Sequence, residues 1–447
     1  MALGNRRTGA QGEFWIAVED VARAPGHPFY TALNRVFKQY GFDAFVEERC
    51  KAFYAENGRP GIPPGVYFRC QLVGYFEGID SERGIEWRIA DSLSLREFIG
   101  VSLKESPPDH SSFTRIRQRL SLEVHEEVFA WILQLLAKEG LVKGQTIGVD
   151  GTTLEANAAM RSIVRRDTGE SYRAFLTKLA KESGIATPTQ EDLARLDRER
   201  KKKASNDDWQ NPHDPDARIT KMKDGTTHLG YKAEHATDLD TGAVLHVALH
   251  GGDAADTKTL CATIAATSET LERLAAQPEL QEKVAPAVEE VVADKGYHSN
   301  EMVCACADAA VRTYISEPKR GRRNWENKSV EKQAVYANRR RITNDRGKRL
   351  LRARGEKLER PFAHCYDRGG MRRIHLRGKE NILKRLLVHV GGFNLGQVMR
   401  KLVGFGTPKE LPPLILPILA FLGAYWSKAV PLTRSANIKY PRMLAVA

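Results

Sequence analysis

Two aspartates stand in matching positions of the sequence and together could hold a divalent cation. Asp150 ends the β-rich run 146–149, Asp294 ends the short apolar run 291–293, and a glycine follows each within two residues. If the two strands are neighbours in one sheet, both carboxylates emerge at the same edge, where such oxygens select Mg²⁺ or Mn²⁺. Two such ions activate a water or hydroxyl for attack on a phosphodiester. The alternative for each aspartate is a turn cap.

A metal site of this kind takes a third carboxylate, and the sequence offers two candidates. Glu356 and Glu359 lie close together in a segment where acidic residues are rare. Either could instead form an i,i+4 ion pair with an arginine on a helix surface. Their spacing does not choose between them.

The positive charge of the chain is concentrated around these glutamates. The 447 residues carry a formal net charge of +13, but Lys319 to Arg385 contains 23 Lys+Arg against 7 Asp+Glu, a local charge of +16. The rest of the chain is therefore slightly acidic. A field confined in this way predicts a polyanionic partner. For the run Arg339 to Arg341 the alternative is a solvated helix face.

The elements that must position these residues begin with a helical region of about 140 residues. Apolar residues recur there at helical spacing, and one amphipathic helix is predicted over 81–100. A break at 106–109 precedes a further helix that displays Arg115 and Arg119. This pattern fits a helix-turn-helix that touches DNA, or a small helical bundle with ordinary solvated arginines.

After residue 145 the sequence pattern predicts both strands and helices. The pattern predicts a strand, a polar insertion, two strands at 227–237 and 243–250, a helix from 256 to 275, then alternating short strands and helices up to a last helix at 382–403. This order is expected of an α/β, ribonuclease-H-like mixed sheet with a polar insertion after its first strand, preceded by an all-α N-terminal domain. Other α/β layouts fit the same string.

The predicted domain organisation has four parts. A helical N-terminal domain at 1–140 is expected to bind DNA ends, and the catalytic domain comprises 141–154 and 226–405. The polar, partly helical insertion is 155–225. An apolar tail at 406–447 completes the chain.

Composition excludes several classes of protein. The longest apolar stretch, 411–426, is interrupted by prolines and falls short of the ~20 residues that span a membrane, so we expect a buried helix or packing tail there. The N-terminus lacks the apolar core of a secretory signal. The six cysteines form no CxxC pair, which fits a reducing cytoplasm.

Several other residues attract attention but favour structural roles. Asp253 and Asp256 flank a helix start and are predicted to be caps. The histidines of the strand pair have mixed parity, which argues against a shared metal site; they are His228, His235, His246 and His250. Trp209 and Trp325 could stack on an unpaired base or anchor loose loops.

Taken in order, seven short motifs resemble the DDE transposases of bacterial insertion sequences, in the subgroup with a helical N-terminal domain. They are PDHSSF (108–113), VDGTTLEANA (149–158), DPDAR (214–218), ADKGYHS (293–299), ERPFAH (359–364), RGGMRR (368–373) and FNL (393–395). Each motif alone is weak, and the likeness covers most of the chain.

The resemblance implies that Asp150, Asp294 and Glu359 are catalytic and bind two Mg²⁺ or Mn²⁺ ions, with Glu356 in reserve as the third ligand. Two positions depart from the family signature, because Gly355 stands where an arginine is usual and Tyr366 where a lysine is usual. The arginines predicted to contact DNA are Arg115, Arg119, Arg339, Arg340, Arg352, Arg360, Arg372 and Arg373.

The implied function is metal-dependent DNA cleavage and strand transfer at the ends of a mobile element, in the bacterial cytoplasm at the nucleoid. The partners are double-stranded DNA, as element ends and target, and a second copy of the chain in a synaptic complex of at least a dimer; no membrane is involved. Two alternatives stay open: another metal nuclease on the same fold, and a non-catalytic DNA-binding protein descended from a transposase.

Overall fold

A computed structural model describes residues 26–410, apart from 56, 59–60, 201–203, 223, 320 and 322. Most of the predicted apolar tail, residues 411–447, lies outside the described part. The N-terminal helices are α1 (Pro28–Gln39), α2 (Phe42–Cys50), α3 (Pro64–Glu77), α4 (Glu82–Ala90), α5 (Leu93–Ile99), α6 (His110–Arg119) and α7 (Leu122–Lys138).

The helix predicted over 81–100 is divided into α4 and α5. Ser81 accepts a hydrogen bond from the Gly84 N–H, and Ser92 accepts one from the Leu95 N–H, so each serine begins a new helix. Asp109 begins α6 in the same way through the Ser111 N–H. The single predicted helix is therefore wrong, and the missed signal was the capping residue Ser92.

The strands are β1 (Thr146–Glu155), β2 (Val164–Arg165), β3 (Trp209–Gln210), β4 (Arg218–Lys221), β5 (Thr227–Asp238), β6 (Val244–Gly251), β7 (Glu290–Ala293) and β8 (Arg312–Ile315). Six of them form one mixed sheet. β5 runs antiparallel between β1 on one side and β4 with β6 on the other, while β7 and β8 continue from β1 in parallel.

This sheet has the mixed order expected of a ribonuclease-H-like fold, so the predicted fold class is confirmed. Its parallel strands β7 and β8 have four residues each, and all of these except Arg312 are buried. The predicted insertion contains α8 (Tyr172–Glu182), α9 (Gln190–Glu199) and the small β2–β3 pair. β4 also lies in that range but joins the main sheet through β5.

The helices after the insertion are α10 (Asp256–Ala275), α11 (Asn300–Asp308), α12 (Ser329–Thr343), α13 (Asp345–Phe362) and α14 (Lys379–Val403). α13 contains Pro361 and continues into a π-helical turn, Ala363–Arg368. A proline in a helix removes one backbone hydrogen-bond donor and clashes with the preceding turn. The wider π-helical turn after Pro361 accommodates this disruption.

One continuous hydrophobic core joins the N-terminal helices to the sheet. α14 is buried along most of its length, including Leu386 and Val390, and it contacts α3 and α7 as well as β6. Asn394 on α14 ties the helix to β6, because its side chain exchanges hydrogen bonds with the backbone of Val244 at 3.0 and 2.8 Å. These hydrogen bonds therefore hold α14 in position against β6.

None of the helices in the described part of the chain combines the length with the apolar character needed to cross a bilayer.

Candidate active site

Asp150 lies in the middle of β1, opposite His235 of β5, so the prediction that it ends the strand is wrong: the pairing with β5 continues to Glu155. One of its carboxylate oxygens, Oδ1, accepts a hydrogen bond from the Gly151 N–H at 2.8 Å. The other, Oδ2, is 2.9 Å from Nη1 of Arg354 on α13. The carboxylate is partly buried, so the guanidinium neutralises it where solvent screening is incomplete.

Asp294 lies beside Asp150 because β1 and β7 pair in parallel. The last paired residues are Val149 and Ala293, so the next position on each chain carries an aspartate. Neighbouring strands are ~4.8 Å apart, which makes these residues close neighbours. The Oδ1 atom of Asp294 accepts a hydrogen bond from the Gly296 N–H at 2.8 Å and caps the short helical turn that follows.

Helix α13 covers this part of the sheet, and Leu358 anchors it there. Leu358 is 1% exposed and belongs to a small apolar cluster with Leu239, Val292 and Tyr314. A Cβ atom at Gly148 would lie 2.5 Å from its Cδ1 atom. Glycine at 148 therefore allows the helix to approach the strand closely.

The position of Leu358 separates the two candidate glutamates. At ~100° per residue, Glu359 projects a quarter turn from Leu358, whereas Glu356 points away from the sheet. Lys357 projects to the other side and packs against Gly242, in the turn beside the beginning of β1. Glu359 thus lies on the flank of α13 opposite Lys357, nearer the sheet than Glu356.

The three predicted ligands do not form a closed cluster in this structure. Within the described ranges, the one group of three ligand atoms that all lie within 4.8 Å of one another is Glu86, Asp109 and His110. These three residues form the start of α6, where Asp109 caps the helix. Glu86 accepts a hydrogen bond from the backbone N–H of His110 and also bonds to the Nδ1 atom of the His110 ring.

The residues at the edge of β1 and β7 nevertheless fit a divalent cation. Carboxylates are the donors that Mg²⁺ and Mn²⁺ prefer, and the Arg354 guanidinium already occupies a cationic position at Asp150. Sequence reasoning missed Arg354 at this site. Its contact with Asp150 joins residues 204 positions apart, and only the four-residue spacing from Leu358 hinted that it faces the sheet.

A buried polar network lies directly behind the two aspartates. A Cβ atom at Gly151 would lie 2.6 Å from Cε of Lys232 and 3.4 Å from the hydroxyl of Tyr297. A Cβ atom at Gly296 would lie 2.5 Å from Oδ2 of Asp256. The glycine that follows each aspartate therefore leaves room for this network.

Glu234 is the centre of the network and is completely buried. It accepts hydrogen bonds from Thr259 at 2.6 Å, from Tyr297 at 2.8 Å and from Thr263. Lys232 pairs with Asp256, and its Nζ atom is 3.6 Å from Glu234. Burial raises the pKa of Tyr297 far above its ordinary value, and the nearby carboxylates add to the effect, so its hydroxyl remains a donor.

The arginines predicted to contact DNA differ in their availability. Arg339 is held by both oxygens of Glu317 at 2.6 and 3.0 Å. Arg372 donates to Asp367 and to Thr152. The remaining six are exposed or mostly exposed: Arg115, Arg119, Arg340, Arg352, Arg360 and Arg373.

Some of these exposed arginines still make local contacts. Arg119 stacks on the ring of Tyr54, with its Cζ atom 5.2 Å from the ring centroid. Arg115 donates to the Ser111 hydroxyl at 2.8 Å. Their neighbour Arg117 is buried and paired with Glu82, so α6 presents alternate arginines to solvent.

A basic groove of about 740 Å³ lies on the Lys357 side of α13, opposite the side that carries Glu359. Six basic or histidine side chains line it: Lys357, Arg360, His364, Arg368, Arg400 and Lys401. Burial lowers the pKa of His364, and the arginines Arg368, Arg360 and Arg400 lower it further. The groove therefore concentrates positive charge around His364.

Two other residues considered from sequence, His235 and Trp209, have structural roles in the described structure. His235 is buried, its Nε2 atom is 2.7 Å from the Tyr366 hydroxyl, and burial lowers its pKa to about 3. Trp209 is 4% exposed and packs against Tyr172 and Phe175, so it anchors the insertion. The capping role predicted for Asp256 is wrong, because the N-cap of α10 is Ala255 and no side chain caps it.

Two domain families match the chain. Residues 19–119 match a transposase domain (DUF772), and residues 197–395 match the transposase DDE domain. The second match includes Asp294 and Glu359, while Asp150 lies before it. No curated protein matches significantly, and no solved structure does.

Proposed function

Because the chain belongs to the DDE transposases, we propose that it binds the ends of its mobile DNA element, cuts the DNA there and transfers the freed 3′-hydroxyl to a target phosphodiester. The observation that carries this proposal is the parallel pairing of β1 with β7, which sets Asp150 beside Asp294 beneath a helix of the basic segment.

Enzymes of this family use divalent metal ions, and Asp150, Asp294 and Glu359 are the residues that would hold Mg²⁺ or Mn²⁺ here. Held by these residues, such an ion would supply activation of the attacking water or hydroxyl and stabilisation of the charge on the phosphodiester. Glu359 is preferred to Glu356 because it lies on the flank of α13 beside Leu358, while Glu356 points away from the sheet.

The basic segment supplies the attraction that brings DNA to a carboxylate cluster. DNA carries one negative charge per ~1.7 Å of axis, and carboxylates alone would repel it. Exposed Arg352 and Arg360 on α13, with Arg340 on α12 and Arg373 near Glu155, can offset that repulsion through bidentate phosphate contacts. Arg115 and Arg119 offer a second contact surface on α6.

Joining two element ends to a target requires a synaptic complex, so we propose that the chain acts at least as a dimer on DNA. The runner-up functions are a metal nuclease without strand transfer and a DNA-binding protein without catalysis. Neither is favoured by a specific contact in the described structure.

The test is a strand-transfer assay with Mg²⁺ on DNA that carries the inverted repeats flanking the coding region. We expect Asp150→Ala, Asp294→Ala and Glu359→Gln to abolish cleavage and joining while end binding persists. Glu356→Gln is the matched control on the same helix and should retain activity. Cleavage without joining would indicate the nuclease, and normal joining by both aspartate variants would overturn the metal site.

A further inference from the structure

Asp256 is a fourth carboxylate at the edge of the proposed metal site. It is the first residue of α10 and follows β6 after a short loop. A Cβ atom built at Gly296 would lie 2.5 Å from Asp256 Oδ2 and 3.0 Å from Asp294 Oδ1. Both carboxylates therefore border the same small space, which the glycine leaves open.

The carboxylate of Asp256 has no helix-capping task that would explain its position. The N-cap of α10 makes no side-chain hydrogen bond. The nearby Asp253 differs, since its Oδ2 atom accepts a hydrogen bond from Asn206 at 3.1 Å. Asp256 instead pairs with Lys232, whose side chain is only 9% exposed.

Lys232 brings a positive charge to the back of the site. Its ammonium group lies between Asp256 and the buried Glu234, and its Cε atom is next to the backbone of Gly151. Burying an ammonium group is costly unless carboxylates compensate it. The carboxylates on either side of Lys232 therefore favour a positive charge at this position.

Carboxylates from three elements gather at this place. In the described structure Asp256 and Glu234 flank the ammonium group of Lys232, and Asp294 faces Asp256 across the space at Gly296. A divalent cation in the space beside Gly296 could bind the carboxylates of both Asp256 and Asp294.

We propose that Asp256 is a further metal ligand, which shares a divalent cation with Asp294 and which Lys232 neutralises when that cation is not bound. This inference rests on the proposed function, because it extends the same site. It assigns α10 to the metal site as well as β1, β7 and α13. The rival explanation is a purely structural ion pair between Lys232 and Asp256.

The experiment measures Mn²⁺ binding to the full-length protein without DNA, by calorimetry and by the electron paramagnetic resonance signal of free Mn²⁺. We expect Asp256→Asn and Asp294→Asn each to weaken Mn²⁺ affinity by about tenfold or more. Asp253→Asn, from the same loop, is the matched control and should bind Mn²⁺ like the parent protein.

A second variant separates the metal ligand from the structural ion pair. Lys232→Gln removes a positive charge beside the ion and should strengthen Mn²⁺ binding, the opposite of the Asp256→Asn effect. A purely structural pair would lower the unfolding midpoint in both variants and change Mn²⁺ affinity in neither. If Asp256→Asn fails to fold, an unchanged Mn²⁺ affinity in Lys232→Gln overturns the inference.

The outcomes also separate this inference from the proposed function. Loss of Mn²⁺ affinity in Asp294→Asn with normal binding in Asp256→Asn would refute the fourth ligand and leave the transposase site intact. Normal binding in Asp150→Asn and Asp294→Asn would refute the proposed metal site itself.

Discussion

The contact between Gly148 and Leu358 decides how close α13 lies to the sheet, and it can be tested by exchanging volume between the two positions. A methyl group at 148 would lie 2.5 Å from Cδ1 of Leu358 and 2.7 Å from Cδ2 of Leu239. Carbon atoms in ordinary contact are ~3.5 to 4 Å apart. Gly148→Ala therefore forces an overlap of about 1 Å on two buried side chains.

The loss of stability expected for each substitution follows from the packing around Gly148 and Leu358. Overpacking of a core costs ~1 to 3 kcal/mol, and two buried neighbours place Gly148→Ala toward the upper end. Leu358→Ala removes a side chain that is 1% exposed, so a loss of ~2 to 5 kcal/mol is expected. In the double variant the added methyl group enters space left by the leucine, so the two costs should not add.

The assay is a double-mutant cycle by urea unfolding, read together with Mg²⁺-dependent cleavage. We expect the double variant to be more stable than the sum of the single costs by ~1 kcal/mol or more, within the range seen for residues in contact. Cleavage should fall in both single variants because α13 carries Glu359. Gly355→Ala on the same helix is the control, since its Cβ atom would meet nothing within 4 Å.

Two results would refute this reasoning. Additive costs, within the ~0.3 to 0.5 kcal/mol expected of independent sites, would mean that the two positions do not share a contact. A Gly148→Ala protein with unchanged stability would mean that α13 can move away from the strand freely.

Three further predictions concern charge. Burial lowers the pKa of His125 and His246 to about 4, whereas histidine in the unfolded chain has a pKa of ~6.5. The free energy of unfolding should therefore fall as the pH drops from ~6.5 toward 4, by up to ~1.4 kcal/mol per pH unit for each histidine. Unfolding followed by fluorescence measures this. Replacing Arg360 by alanine should weaken binding to duplexes of any sequence and reduce the salt slope by ~1, measured by fluorescence anisotropy; an unchanged slope would place DNA elsewhere. Arg354→Gln removes the cation at Asp150 and should strengthen Mn²⁺ binding in calorimetry, and weaker binding would contradict the competition between them.

Local sequence patterns were sufficient for most of the sheet. The strand before Asp294 is only four residues long in the structure, Glu290–Ala293, but a buried parallel strand is recognisable from a short apolar run when polar residues bound it. β4 was missed because Arg218–Lys221 is a polar edge strand with little apolar signal. It is held by pairing with β5, which no local pattern contains.

The parts of the site that sequence did not predict are long-range pairs. Asp256 was predicted to be a cap because acidic residues favour helix starts, and only folding brings Lys232 beside it. Arg354 was indistinguishable from the other arginines of the basic segment until α13 was placed over β1. The choice between Glu356 and Glu359 likewise needed the anchor at Leu358, because helical periodicity fixes relative directions and not which side faces the sheet.

Helix α13 connects the two halves of the proposed chemistry. One side carries Glu359, and the other lines the basic groove through Lys357 and Arg360. Because both sets of side chains belong to one helix, phosphate contacts made on the groove side involve the same element that carries Glu359, the proposed third carboxylate. An α13 variant that loses cleavage is therefore informative only when its DNA affinity and its Mn²⁺ affinity are measured separately.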